Sequence, residues 1–213
     1  MNVKSFRSFL IISALFCLIL AGETSAQEQA SIDSLMSLLE STEGEKHLEI
    51  LYELSENRWL AFEDRLSYTE DALNYAARSG EVQWLYEAHL HRGKIFSREA
   101  MDQEALESFE KALKISEESG DDDGIITSLF WIGKTYSWLR EPVMAAKYLN
   151  RTRGMATEHK NTQMETDALY ALGELNRRFR EYVDAMAYYD TAYAMAEASG
   201  SGTLRRPSAI AVL

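Results

Sequence analysis

Apolar positions recur along the chain at spacings of three and four. Leu85, Ala88, Arg92 and Phe96 mark one such stripe, and Ala105, Phe109, Ala112 and Ile115 mark the next. That is the period of one helix face, and no stretch alternates as a half-buried strand would. The pair of stripes then repeats. Three blocks align without gaps: 81–120, 121–160 and 161–200. Gly93, Gly133 and Gly173 share a column, as do Ala105, Ala145 and Ala185. Phe109, Leu149 and Tyr189 share a third, and Phe96 and Tyr136 a fourth in which the last block has Asn176. Ala112 and Ala192 share a fifth, with Thr152 between them. Each block is therefore predicted to be a pair of amphipathic helices. The stops agree: Ser79-Gly80, Ser119-Gly120 and Ser199-Gly200 fit helix C-termini. Pro142 falls where a second helix would begin, the turn that tolerates proline. Asp121, Asp122 and Asp123 precede another helix, at the positive end of its dipole.

The small columns have a physical reason. Where two helices of a hairpin cross closely, anything larger than Gly or Ala would push them apart. The large aromatic columns are expected to fill the space between successive hairpins. A single hairpin cannot bury its apolar face, so stacking supplies the core. Residues 47–80 read as an earlier, degenerate unit. Its second helix is marked by Leu66, Tyr68, Ala72, Leu73 and Ala76, but its glycine column holds Glu53. Residues 27–46 carry a further amphipathic helix (Ile32, Leu35, Met36, Leu39) expected to cap the N-terminal end.

At this stage the residues resemble a known family. The series Leu129, Ile132, Gly133, Tyr136, Ala145 and Leu149 is similar to the tetratricopeptide repeat, and 81–120 and 161–200 match at the same columns. Two departures stand out: the period is 40 where the family's is usually shorter, and the usual proline near the unit's end is replaced by Ser-Gly. Both point to a longer-helix variety. The resemblance implies an all-α fold, a right-handed superhelical solenoid of antiparallel helix hairpins. It also implies a groove lined by the first helix of each pair. By column, that groove would hold Leu90, Lys94, Ser97 and Arg98, then Phe130, Lys134, Ser137 and Trp138, then Tyr170, Glu174, Arg177 and Arg178. Basic residues and aromatics in one trough imply a protein or peptide partner, with acidic segments favoured. The family's carboxylate clamp is not reproduced, because Lys94, Lys134 and Glu174 stand where it uses Asn. More loosely, the chain resembles the extracytoplasmic repeat regions of bacterial sensor kinases and regulators, so a sensory input module is the alternative reading.

Composition narrows this further. Charged residues are 26% and the net charge is -12, so a phosphate backbone would be repelled and nucleic acid is excluded as a partner. Lys4 and Arg7 precede a 13-residue apolar run from Phe9 to Ala21, and small residues follow at Thr24 and Ala26. The run is short of the roughly 20 residues a bilayer span requires. Residues 1–26 therefore read as a secretory signal peptide cut after Ala26, which leaves no membrane span in the mature chain and places it in the periplasm or outside the cell. An uncleaved anchor is the alternative. The only cysteine, Cys17, lies in that leader, so the mature chain has no thiol chemistry.

No catalytic or cofactor constellation is present. His89 and His91 are two apart and face different ways on a helix, and His47 and His159 are isolated. Phosphate loops, zinc-protease motifs and nucleophile elbows are missing. Asn150-Arg151-Thr152 matches a glycosylation triplet but falls within a predicted helix. Neither enzyme activity, cofactor nor metal is expected. After Gly200, the tail 201–213 breaks the pattern and is expected to be disordered. Two readings stand: a truncated longer protein, or a last hairpin, lacking a polar cap, that pairs with a second copy as a homodimer.

Overall fold

Beyond the Ser-Gly stops at 80, 120 and 200, the structure turns every twenty residues from 80 to 200. The computed structural model describes residues 28–200. Among these it has nine helices and no strand. They are α1 (28–39), α2 (Glu45–Glu56), α3 (Phe62–Ser79), α4 (Val82–Arg98), α5 (Asp102–Ser119), α6 (Asp122–Trp138), α7 (Pro142–Glu158), α8 (Thr162–Arg178) and α9 (Tyr182–Ala198). The leader 1–26 and the tail 201–213, with the expectations attached to them, lie outside the described residues. The chain divides into two compact units, Met1–Ala72 and Leu73–Leu213, with the boundary inside α3.

In the first unit, Ile32 of α1 packs with Ile50 and Leu54 of α2, and Leu35, Leu39, Leu60 and Tyr68 close around them. Two sequence expectations change here. Met36 was placed on the apolar face of α1, yet it is 46% exposed, because Leu35 and Leu39 complete the stripe without it. Glu53 does not occupy a glycine-like crossing; it is exposed. The turn between α2 and α3 covers 57–61, whereas the one between α4 and α5 covers 99–101. Those additional residues shift the register of α2, so the gap-free alignment fails there. In α3 a buried Arg65 stands forty residues before Ala105, and its Nε donates to the carbonyl of Ser55 at 2.9 Å. A guanidinium that caps α2 thus occupies a position held by alanine elsewhere.

In the second unit, α4 pairs with α5, α6 with α7 and α8 with α9, while α5 packs on α6 and α7 on α8. First helices also touch each other, α4 with α6 and α6 with α8, so they lie side by side on one face. Ala105, Ala145 and Ala185 are fully buried, as are Ala112, Thr152 and Ala192. The glycine column shows why. A β-carbon on Gly133 would stand 2.8 Å from Cγ of Leu149, and one on Gly93 would run into the ring of Phe109. Phe109 and Tyr189 therefore cover the glycine of their own hairpin, and Phe109 also stacks on Trp131 of the next hairpin. Tyr136 packs against the cluster of Ala145, Leu149, Leu172 and Leu175, which joins α7 to α8. Burying each such side chain contributes about 1.5–3 kcal/mol.

Every turn of this unit uses the same device. Residues 80, 100, 120, 140, 160, 180 and 200 all have positive φ: glycine at 80, 120 and 200, but Ala100, Arg140, Lys160 and Arg180 at the others. The bonding is that of a Schellman motif. The Glu141 amide donates to Tyr136 O at 2.9 Å and the Arg140 amide to Ser137 O at 3.4 Å, with equivalents at Met101, Asn161 and Glu181. Pro142 then opens α7 at its first turn.

Candidate ligand groove

The helical period and the 40-residue repeat put equivalent side chains of α4, α6 and α8 on one face. Between α6 and α8 that face opens into a cavity of about 430 Å³. Phe130, Lys134, Ser137 and Trp138 line it from α6, and Tyr170, Glu174 and Arg178 from α8. All seven were singled out from the sequence. Asp167 and Ala171, which were not, complete the lining with Leu149, which the sequence marked only as a repeat-core position.

The remaining sequence candidates lie elsewhere. Leu90 is buried in the core rather than presented to a ligand. Ser97 has its hydroxyl buried without a hydrogen-bond partner among the described residues. Lys94 holds its Nζ 5.7 Å from the centroid of Trp131. Arg98 is exposed at the end of α4. Arg177 turns along its own helix and grips Glu174, with Nη2–Oε2 at 2.7 Å and Nε–Oε1 at 3.3 Å.

The cations of the trough are thus not equivalent. Arg177 is neutralised by Glu174, which also accepts a short hydrogen bond from the Tyr189 hydroxyl of α9. Burial works to raise the Glu174 pKa, but the bonds from Arg177 and Tyr189 outweigh it and hold the carboxyl below its ordinary range. Burial and the same bond push the Tyr189 phenol up. Arg178 crosses to α6 and donates Nη1 at 3.2 Å to the carbonyl of Ser137, which the Arg140 amide also reaches in the turn.

Lys134 is different. Its Nζ lies 4.4 Å from the Trp131 ring centroid, 5.2 Å from Phe130 and 5.3 Å from Trp138. Burial lowers its pKa, and the charge of Asp167 opposes part of that. Trp131 was not among the sequence candidates. It stacks on Phe109, centroids 5.5 Å apart, and is edge-on to Phe130 at 5.8 Å. Its place two residues before Gly133, next to Phe130, is the one signal that could have found it.

Other polar residues serve structure. Asn161 caps α8 by accepting from the Met164 amide at 3.1 Å, and its Nδ2 reaches Asp123 at 3.3 Å. His159 faces Asp122 at 3.6 Å, which ties the acidic start of α6 to the end of α7. Thr152 of the glycosylation-like triplet is buried inside α7 and donates to Tyr148 O. Among the described residues, no three His, Cys, Asp or Glu are placed to hold a metal.

No protein-family model matches the chain, and no curated protein matches it. Solved structures do. One is a signal transduction ATPase with numerous domains, carrying a tetratricopeptide repeat sensor, from Pyrococcus horikoshii. It superposes with a TM-score of 0.66 at 18% identity, over 78% of this chain and 27% of that one. A putative kinesin light chain with nearly identical TPR-like repeats from Podosopora anserina gives 0.65 at 11% identity, over 84% of this chain and 91% of that one. A Rap protein complexed with Competence and Sporulation Factor gives 0.63 at 16% identity, over 84% of this chain and 52% of that one. The chain therefore spans about a quarter of the first and about half of the third. Helix pairs repeating every 40 residues, glycine-seated crossings and these superpositions give the chain the tetratricopeptide-type helical repeat fold.

Proposed function

We propose that the chain is an exported, non-enzymatic adaptor that holds an extended protein or peptide segment along the face formed by α4, α6 and α8. The observation that carries this reading is the cavity between α6 and α8, where seven side chains chosen by repeat column converge. Aromatic walls offer rigid anchors, and a concave solenoid face suits an extended chain. A TPR-like neighbour holding a partner factor is consistent with the same use of the fold. Lys134 gives the groove its preference for acidic segments, since Arg177 is already matched by Glu174.

Panning a library of extended peptides tests this, with the Lys134→Glu/Arg178→Glu double variant as the counter-screen. The selected peptides should be acidic and lose at least about tenfold in affinity on the variant. Selected peptides indifferent to the double variant, or no selection at all, refute the reading. A fusion of residues 1–40 to a reporter active only outside the cytoplasm tests export. The second reading, a sensory input module, draws on the Pyrococcus horikoshii neighbour, whose repeats are described as a sensor. A transcript continuing into a membrane helix and an output domain would favour it over a free adaptor.

A further inference from the structure

Lys134 is a half-buried ammonium with aromatic faces around it. Trp131, Phe130 and Trp138 attract its charge, at 4.4, 5.2 and 5.3 Å. Ring faces are poor substitutes for the lone pairs that an ammonium's three N–H groups require. Among the described residues Lys134 makes no ion pair. Asp167 acts on it through charge alone, and Glu174, the other carboxylate of the cavity, is held by Arg177 and Tyr189. Beside this cation lies a space with both polar and apolar walls. About 430 Å³ falls within the roughly 300–1,000 Å³ of sites that take small molecules. Phe130, Trp138 and Tyr170 supply the apolar part of its walls, with Leu149 buried behind them.

We propose that this cavity binds a small organic carboxylate with an aromatic or branched apolar body, the carboxylate at Lys134 and the body against Phe130, Trp138 and Tyr170. This goes beyond the adaptor reading, because the ligand is a free small acid rather than an extended chain. The acid completes the unmet donors of Lys134, and its apolar body displaces water from the aromatic faces. Arg178, 3.2 Å from the Ser137 carbonyl, adds positive potential from the far side. Asp167 and Glu174 on α8, and Lys94 on α4 beside the same Trp131, are the other charges around the site. Burial lowers the Lys134 pKa, and a bound carboxylate would lift it again. Binding at alkaline pH should therefore take up protons.

Calorimetric titration of the full chain with 3-phenylpropionate, 3-phenylpropionamide and 2-phenylethylamine tests this, with tryptophan fluorescence reporting on Trp131 and Trp138. The acid should bind saturably, the amide at least about tenfold more weakly, and the amine not at all. Lys134→Met keeps the apolar stem and should cost the acid about tenfold while leaving the amide unchanged. Equal binding of acid and amide overturns the proposal without any variant. So does the absence of saturable binding up to about 10 mM, or an undiminished acid affinity in Lys134→Met. Failure here leaves the peptide selection informative, since that experiment uses a different ligand and readout.

Discussion

Tyr189 of α9 lies directly over Gly173 of α8: a β-carbon at 173 would stand 2.6 Å from Cε1 of the ring. The same ring sends its hydroxyl to Glu174, so one contact sets both the helix crossing and a wall of the cavity. Gly173→Ala should push the ring away, break that hydrogen bond and cost about 1–3 kcal/mol by overpacking. Urea unfolding measures it. Gly154→Ala is the counterpart, since nothing lies within 4 Å of a β-carbon there. Inside α7, one turn from its end, it should gain about 0.5–1 kcal/mol from the lower entropy of the unfolded chain. A Gly173→Ala protein as stable as its parent would contradict the close crossing.

The twenty-residue rhythm of left-handed turns gives a second prediction. Ala100 has φ 57 and Gly120 has φ 72. A β-carbon is strained at such angles by about 1–2 kcal/mol, and glycine is not. Ala100→Gly should raise stability by about 0.5–1 kcal/mol, the relief of strain being partly offset by unfolded-state entropy. Gly120→Ala should lower it by about 1 kcal/mol. Differential scanning calorimetry compares the two. Shifts of the same sign would contradict the turn conformation.

What could be read from the sequence follows from the same physics. Gly93, Gly133 and Gly173 were legible because the same crossing recurs three times, and each recurrence imposes the same size limit. The cavity side chains of α6 and α8 were legible because helical spacing fixes which positions share a face. The pairing of Arg177 with Glu174 and Tyr189 was not, because it depends on the rotamers and the reach of a phenol across a hairpin. Asp167 and Trp131 went unseen because they sit outside the repeat's groove columns, yet α8 and the Phe109 ring bring them to the site. The slip at Glu53 was hidden in a turn whose length a gap-free comparison cannot sense.

Glu174 links stability to acid. Its folded pKa lies below the unfolded value because the bonds from Arg177 and Tyr189 outweigh burial. Its contribution is therefore fully present above about pH 4.3, the ordinary glutamate value, and is lost as the pH falls through the folded pKa. The difference in urea midpoint between the parent and Glu174→Gln should be constant at neutral pH and shrink under acid conditions. The pair is half exposed, so the effect should also weaken with salt. A difference that grows on acidification would contradict the network.

His89 makes an earlier and separate acid transition. Its Nδ1 is buried without a hydrogen-bond partner among the described residues. Burial, helped by the charges of Lys111 and Arg92, pushes its pKa down to about 4. In the unfolded chain it titrates near 6.5. Between those values the unfolded state holds the extra proton, so stability falls as pH drops from about 6.5 to about 4, by at most about 1.4 kcal/mol per pH unit. Below about 4 both states are protonated and this contribution stops changing. His89→Leu removes the titration and fills the half-buried site with an apolar side chain. Its stability should run flatter than that of the parent through this window, as read from urea midpoints at several pH values. Parallel curves would mean that His89 is already protonated, or already solvated, in the folded protein.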